Sequence, residues 1–385
     1  MKIGLESLSF YTSRYYLDLQ LLAEARFIDP NKYLDGLGQE KMAVLAPNED
    51  IVTMAASAAK EALQGINLES ISMVLLATES GVDQSKSAGI WVHHLLGLSK
   101  NCRIVELKQA CYSGCAALML ARSYIKEHPD KKVLIVATDV ARYGLQTPGE
   151  PTQGCGAAAM VISSEPKLVA FEPETGCYTS HVMDFWRPNY RHEALVDGKY
   201  STRVYLNALV EAWEQYRKES HRTFEDHARF CYHIPFTRMA SKAHEKLAKF
   251  CENEPIDAAI SDSLIYSKSL GNSYTASLFI GLCSLLENSQ EDLAGKRIGF
   301  FSYGSGCVAE FFSAVVCDEY KKHLKSEIHQ KMLGTRTSLT IAEYEAFYTF
   351  RMPEDGSNFS NPQHNAGPFI LTGINSHQRQ YEALT

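Results

Sequence analysis

Three side chains of this sequence stand where short apolar runs give way to small or polar residues, and each is of a type that does nucleophilic or acid–base work. Cys111 lies in "ELKQACYSGCAALMLARSYI", after a strand-like run and before a helix-like one, with Ala110, Ser113 and Gly114 around it. A thiol there faces the free N–H groups and the positive end of the helix dipole, which favours thiolate. The same N–H groups are placed to hold the oxygen of an acyl-thioester. Glu79 ends the run "MVLLATES". A carboxylate after a buried strand sits at the sheet's C-terminal edge, where α/β proteins place their ligands, and partial burial raises its pKa toward that of a working base. His233, in "CYHIPFTRM" just before Pro235, ends another strand and can bond a carbonyl oxygen or deliver a proton. Taken singly, each has a plain structural alternative: a buried cysteine, a solvated glutamate, a packed or surface histidine.

Other pieces add weaker signals. "FSYGSGCVAEF" is a tight glycine turn that brings Ser305 and its backbone close to a ligand, and "SKSLGNSYTASL" puts Asn272 at an N-cap position. Neither has the spacing of a phosphate loop. After His233, Arg238, Lys242, Lys246 and Lys249 line one helix face, while Met239, Ala243, Leu247 and Phe250 turn toward the core. That stripe is either a solvated face or a dock for an anionic, phosphate-bearing substrate. His93 and His94 fall inside a helical pattern without metal-ligand spacing, and His181 and His192 read as structural.

The elements that must position these residues alternate in type. "KIGLESLSFY", "SMVLLATES", "RIVELKQA", "KVLIVATDV" and "GAAAMVIS" read as buried strands; "DIVTMAASAAKEAL", "SAGIWVHHLLGL" and "CAALMLARSYIKEH" read as helices. The expectation is an α/β architecture with substantially parallel sheets over residues 1 to about 170. Residues 171 to 230 are aromatic and polar, then helical, and read as an excursion from the sheet. The αβ texture returns from Phe230, with two strands around the glycine turn near 305 and a late strand "FILTGIN". No linker or low-complexity tract divides the chain, so two αβ halves in one body fit best.

The composition agrees: 385 residues, 45% hydrophobic, 22% charged, net charge −7. The acidic balance argues against nucleic acid or an anionic membrane as partner, though not against an anionic small molecule in a local basic patch. No signal peptide or roughly 20-residue apolar span appears, so a cytoplasmic location is expected. The ten cysteines include no C-x-x-C pair, so no metal site is expected and the thiols read as reduced.

Together the motifs resemble the 3-hydroxy-3-methylglutaryl-coenzyme A synthases, in their bacterial mevalonate-pathway form, within the thiolase superfamily. The resemblance runs through "YYLDLQLLAEARFIDPNKYLDGLGQEKMAV", "ATESGVDQSKSAG", "KQACYSG", "ATDVARYGLQTPGEPTQGCGAAAM", "DFWRPNYRHEALVDGKYS", "HIPFTRM", "GNSYTASL" and "SYGSGCVAEF", and fades beyond about residue 330. It implies a thiolase-like, duplicated five-layer αβαβα fold. The N-terminal half would be 1–170, and the C-terminal half 171–385 with a family insertion at about 171–230. It also implies a homodimer with no cofactor, whose substrates are acetyl-CoA and acetoacetyl-CoA. By the same resemblance Cys111 is the acetylated nucleophile, Glu79 the general base, and His233 the partner of the acetoacetyl oxygen. Tyr143, Asn272 and Ser305 lie around the reacting carbons, and Arg238 and Lys242 contribute to the CoA site. Arg238 stands where relatives often have lysine, which leaves charge but changes geometry. Two alternatives stay open at this level. One is a polyketide β-branching homologue that works on acyl-carrier-protein thioesters; the other is a catalytically silent binding protein.

Overall fold

The structure, a computed structural model, describes residues 1–384. One sheet of nine strands organises it. In chain order these are β1 Ile3–Tyr11, β2 Ile71–Ala77, β3 Arg103–Leu107, β4 Lys132–Ala141, β5 Gly154–Ser163, β6 Val169–Thr179, β7 Arg229–Tyr232, β8 Arg297–Gly304 and β9 Val308–Val316. Their spatial order is β7-β8-β9-β6-β1-β5-β4-β2-β3. The run β2-β4-β5-β1 repeats as β7-β8-β9-β6: a parallel pair, then two antiparallel pairings. The two copies meet where Ile3–Leu5 pairs with Val169–Phe171.

Helices complete the layers. α1 (Ile51–Ala62) covers the outer face of β1, β4 and β5, and α3 (Gly198–Ser220) covers β6 and β9. Between the copies lie α2 (Ser113–Glu127) and, beyond α4 (Thr237–Phe250), α5 (Ser277–Asn288). The sequence dictates these places. Val133 to Ala137 of β4 are fully buried, as a strand covered on both faces requires. Every residue from Ser277 to Leu286 of α5 is buried, the mark of a helix inside a core rather than on it. α1 starts on Asp50, whose side chain accepts the N–H groups of Val52 and Thr53, and its alanines let it lie close on the sheet.

The expectation that residues 171 to 230 leave the sheet is corrected. Val169–Thr179 is an interior strand paired on both edges, and α3 lies directly on it. Only about residues 180–197 depart, around a short ladder of Phe185–Trp186 against Leu195–Val196. The strand was masked by Glu172 and Glu174, whose carboxylates pair with Arg222 and Arg297. Phe250, expected in the core, is exposed at the end of α4. The late strand Phe369–Asn375 forms a hairpin with Gln378–Ala383 outside the main sheet. Arg379 and the Tyr381 hydroxyl hold that hairpin to Asp50 at 3.1 and 2.6 Å. No helix among the described residues is long and apolar enough to cross a membrane.

Candidate active site

Cys111 occupies the turn between the end of β3 at Leu107 and the start of α2 at Ser113. Ala110 before it adopts φ +44°, a left-handed conformation that costs a residue with a Cβ about 1 kcal/mol. The turn is closed by the Tyr112 and Ser113 N–H groups, which donate to Gln109 and Ala110 carbonyls at 3.1 and 3.2 Å. These two amides are therefore spent on the turn, which leaves the acyl-oxygen role expected of this helix start to the other amides around Cys111. Gly114 lets α5 approach: a Cβ there would come within 2.8 Å of the Phe279 ring and 2.9 Å of the Thr275 carbonyl oxygen.

The thiol donates to Glu79 Oε1 at 3.2 Å. Burial, then the carboxylates of Glu79 and Asp139, push the Cys111 pKa well above its ordinary value. The helix dipole expected to favour thiolate is outweighed. Glu79 follows β2, as expected of a base at the sheet edge, and burial with nearby Asp139 pushes its carboxyl up to about 8. Asp139 anchors the arrangement. Fully buried on β4, it accepts the Glu79 N–H at 2.9 Å, the Thr78 hydroxyl at 2.8 Å and both the N–H and the hydroxyl of Thr275 at 3.1 and 2.5 Å. Arg187 donates to the Glu79 carbonyl.

His233 follows β7 directly and is 3% exposed. Its backbone is fixed by its own N–H donating to Phe301 O and by the Tyr205 hydroxyl donating to its carbonyl, each at 2.8 Å. Burial drives its pKa down to about 3, so the ring is neutral. Nδ1 lies 2.8 Å from Ser277 Oγ, which itself accepts the Ile234 N–H at 3.3 Å. We assign the serine hydroxyl as donor to Nδ1, which places the ring proton on Nε2. Among the described residues no hydrogen bond joins His233 to Cys111 or Glu79.

Tyr143, Tyr274, Ala141 and Ala194 form a buried cluster against which Cys111 and Phe185 pack. Three rings box the thiol's surroundings: Tyr143 to Phe185 at 6.2 Å, Phe185 to Tyr274 at 5.7 Å, and Tyr143 to Tyr274 at 6.5 Å. Asn272 joins from beneath, its Oδ1 accepting the Tyr274 N–H at 2.8 Å. Ser305 approaches from β8, its carbonyl accepting Gln109 Nε2 at 3.2 Å. A cleft of about 1570 Å³ reaches this region, with Glu79, Gln109, Ala110, Arg187 and Ser305 on its wall. Arg238 and Lys242 lie apart, exposed on α4 and outside that wall; the nearest acid to Arg238 is Glu245 at 4.0 Å. His181 and His192, expected to be structural, are exposed on the cleft wall.

Sequence reasoning missed Asp139, Arg187, Ser277 and Tyr274. An acid inside the apolar run "VLIVATDV" was a usable signal for Asp139. The Tyr274 hydroxyl is buried without a hydrogen-bond partner among the described residues, beside the thiol's cluster. Cys283, Glu287 and His329 come within metal-ligand spacing, their ligand atoms all within 4.8 Å of one another. The Phe10 N–H, however, donates to His329 Nε2 at 3.2 Å, so the ring proton sits on Nδ1, the nitrogen that faces the cluster. That nitrogen donates to Glu287 and is not free to ligate.

The same residues lie within a chain that is similar to known proteins throughout. The family model described as hydroxymethylglutaryl-coenzyme A synthase N terminal matches residues 1–167, and its C-terminal counterpart matches 169–254 and 240–381. A hydroxymethylglutaryl-CoA synthase of Enterococcus faecalis is 42% identical over 386 residues, covering 99% of this chain and all of that one. A polyketide biosynthesis 3-hydroxy-3-methylglutaryl-ACP synthase of Bacillus subtilis is 32% identical, covering 90% of this chain and 87% of its own. A crystal structure of an HMG-CoA synthase complexed with CoA superimposes with a TM-score of 0.96 at 42% identity, covering both chains fully.

Proposed function

The chain belongs to the hydroxymethylglutaryl-coenzyme A synthase family, and on that premise we propose that it condenses acetyl-CoA with acetoacetyl-CoA through an acetyl thioester on Cys111. The observation that carries this reading is the thiol of Cys111 donating to Glu79 Oε1 at 3.2 Å beside a cluster of apolar rings.

In the first step the sulfur attacks the acetyl carbonyl while its proton passes to the Glu79 carboxylate. The bond to the CoA sulfur breaks, and that sulfur takes the proton and leaves. In the second step Glu79, again a carboxylate, removes a methyl proton; a thioester makes these protons more acidic than an oxygen ester would. The carbanion forms a bond to C3 of acetoacetyl-CoA, and the alkoxide takes the proton back from Glu79. His233 supports that alkoxide as a neutral Nε2–H donor; its low pKa, about 3, unsuits it to act as a cationic acid. Water then adds to the thioester and the carbon–sulfur bond breaks; one proton of the water returns to the Cys111 sulfur and the other passes to solvent as the product carboxylate departs. Tyr143, Asn272 and Ser305 surround the reacting carbons in this reading. Arg238 and Lys242 are exposed on α4 outside the cleft wall, and in this reading they meet the CoA phosphates at the surface, Arg238 turning from Glu245 to do so.

The edge strand β3 supports assembly as a homodimer: among the described residues one of its edges has no partner strand, and Val105 is 46% exposed. The seam of the duplication lies at about residue 170. Single-turnover conversion of labelled acetyl-CoA and acetoacetyl-CoA into labelled hydroxymethylglutaryl-CoA tests the whole sequence; release of free acetate alone would defeat it.

A further inference from the structure

The backbone of Tyr143 is held at both ends by side chains. Its N–H donates to Gln153 Oε1 at 2.9 Å, and its carbonyl accepts the Tyr348 hydroxyl at 2.5 Å. Gln153 is in turn fixed: its Nε2 donates to Tyr344 Oη at 2.8 Å, and that hydroxyl donates to Glu150 Oε1 at 3.2 Å. Arg26 closes the chain of bonds with two donations to the Glu150 carboxylate, at 2.8 and 3.0 Å. Gln153, Glu150 and Tyr344 are all buried.

Tyr344 and Tyr348 belong to the helix Ile341–Thr349, four residues apart and so on one face. Tyr348 is itself pinned, its ring 4.8 Å from the Arg142 guanidinium and its carbonyl accepting Arg142 Nη2 at 2.7 Å. Gly149 lets the intervening loop lie on the Tyr143 ring, where a Cβ would come within 2.8 Å of Cγ. A buried, fully bonded network of this kind allows the loop one arrangement. That arrangement keeps Tyr143 in the cluster against which Cys111 packs.

We propose that the C-terminal helix Ile341–Thr349 is an active-site element at one remove, with Tyr348 as the positioning residue that sets Tyr143 beside the reacting carbons. The inference rests on the reading of Tyr143 as a substrate contact, and it gives a task to the part of the chain where the sequence motifs fade. A misplacement of about 1 Å near the chemistry costs up to about a hundredfold in rate.

The test is a double-mutant cycle on the full chain with Tyr348→Phe and Tyr143→Ala, read as kcat, KM for acetoacetyl-CoA and the thermal midpoint. Tyr348→Phe removes one hydroxyl and keeps the ring on Arg142. The expected result is a kcat lower by about tenfold with KM little changed, and no further loss when it is added to Tyr143→Ala. A full additional loss in that background overturns the inference, as does an unchanged kcat in Tyr348→Phe. If Tyr143→Ala alone leaves kcat intact, the reading of Tyr143 fails and the brace fails with it. Tyr344→Phe, which releases Gln153 from the other side, provides the same cycle should Tyr348→Phe not fold.

Discussion

Ser277 Oγ lies 2.8 Å from Nδ1 of His233 while accepting the Ile234 N–H, so the first residue of a buried helix is the hydrogen-bond partner of a strand-end imidazole. Removing the hydroxyl frees the ring to exchange its proton between nitrogens. Ser277→Ala is therefore expected to lower the condensation rate by about tenfold while leaving acetylation of Cys111 unchanged. Nitrogen chemical shifts of His233 should change from a single Nε2–H form to a mixture. An unaltered tautomer with an unaltered rate would show that Ser277 does not govern the ring.

Glu79 touches both the thiol and, in the proposed sequence, the methyl proton. Glu79→Gln keeps the volume and removes the base. Condensation should fall by about 10²–10⁴-fold; acetyl-Cys111 forms more slowly without the base for the thiol, yet still accumulates to a level visible by mass because its consumption is blocked. Condensation at the wild-type rate in this variant would remove Glu79 from its role.

The pH dependence follows from the direction in which burial moves this carboxyl. Condensation needs the carboxylate, so its rate should rise with pH through an apparent value near 8, the point to which burial and Asp139 push the group. Because Cys111 and Asp139 titrate upward too, the profile belongs to the cluster rather than to one group. Stability runs the other way. With the folded value above the ordinary 4.5, the group's stabilising contribution is complete below 4.5 and is lost as pH rises through about 8. A tenfold change in proton affinity on folding is worth about 1.4 kcal/mol, so Glu79→Gln should melt higher than the wild type above pH 8 and equally below pH 4.5. Melting curves at both ends check this.

Glu287 is a second buried carboxylate with a different task. His329 Nδ1–H, the Tyr266 hydroxyl, the Cys283 thiol and the Lys325 N–H all donate to it, at 2.8, 2.6, 3.4 and 3.3 Å. Burial raises its pKa, but the bonds from His329, Tyr266 and Cys283 outweigh this and hold it below 4.5. Its stabilising contribution is thus present above 4.5 and lost as pH falls through the lowered value. Glu287→Gln should destabilise by about 1–3 kcal/mol in urea unfolding at neutral pH, without changing the acetylation of Cys111. Chelator should leave the wild-type melting point where it is; a drop would show that the cluster holds a metal after all.

The strand ends that carry Glu79 and Cys111 were legible because each follows a short run of branched apolar residues, and that of His233 because the short run Phe230–Tyr232 stops just before Pro235. What joins them was not legible. Asp139 and Thr275 are 136 positions apart and meet only because the two copies of the fold stack their inner helices at Gly114 and Phe279. The interior strand Val169–Thr179 was hidden for a related reason. Its glutamates look like surface residues until Arg222 and Arg297, from a helix end and a distant strand, come to meet them. The thiol's electrostatics also escaped the sequence, since the dipole of α2 is local while the burial and carboxylates that outweigh it are tertiary.

The central claim is that Cys111 carries the acetyl group. Intact-protein mass after brief exposure to acetyl-CoA, with Cys111→Ala alongside and an acetylated carrier protein as a second donor, tests it most directly. The expected result is an increase of one acetyl group per chain from acetyl-CoA, absent in Cys111→Ala. Acetylation that persists in Cys111→Ala or that never occurs would contradict it, and acetylation that requires the carrier protein would contradict acetyl-CoA as the donor.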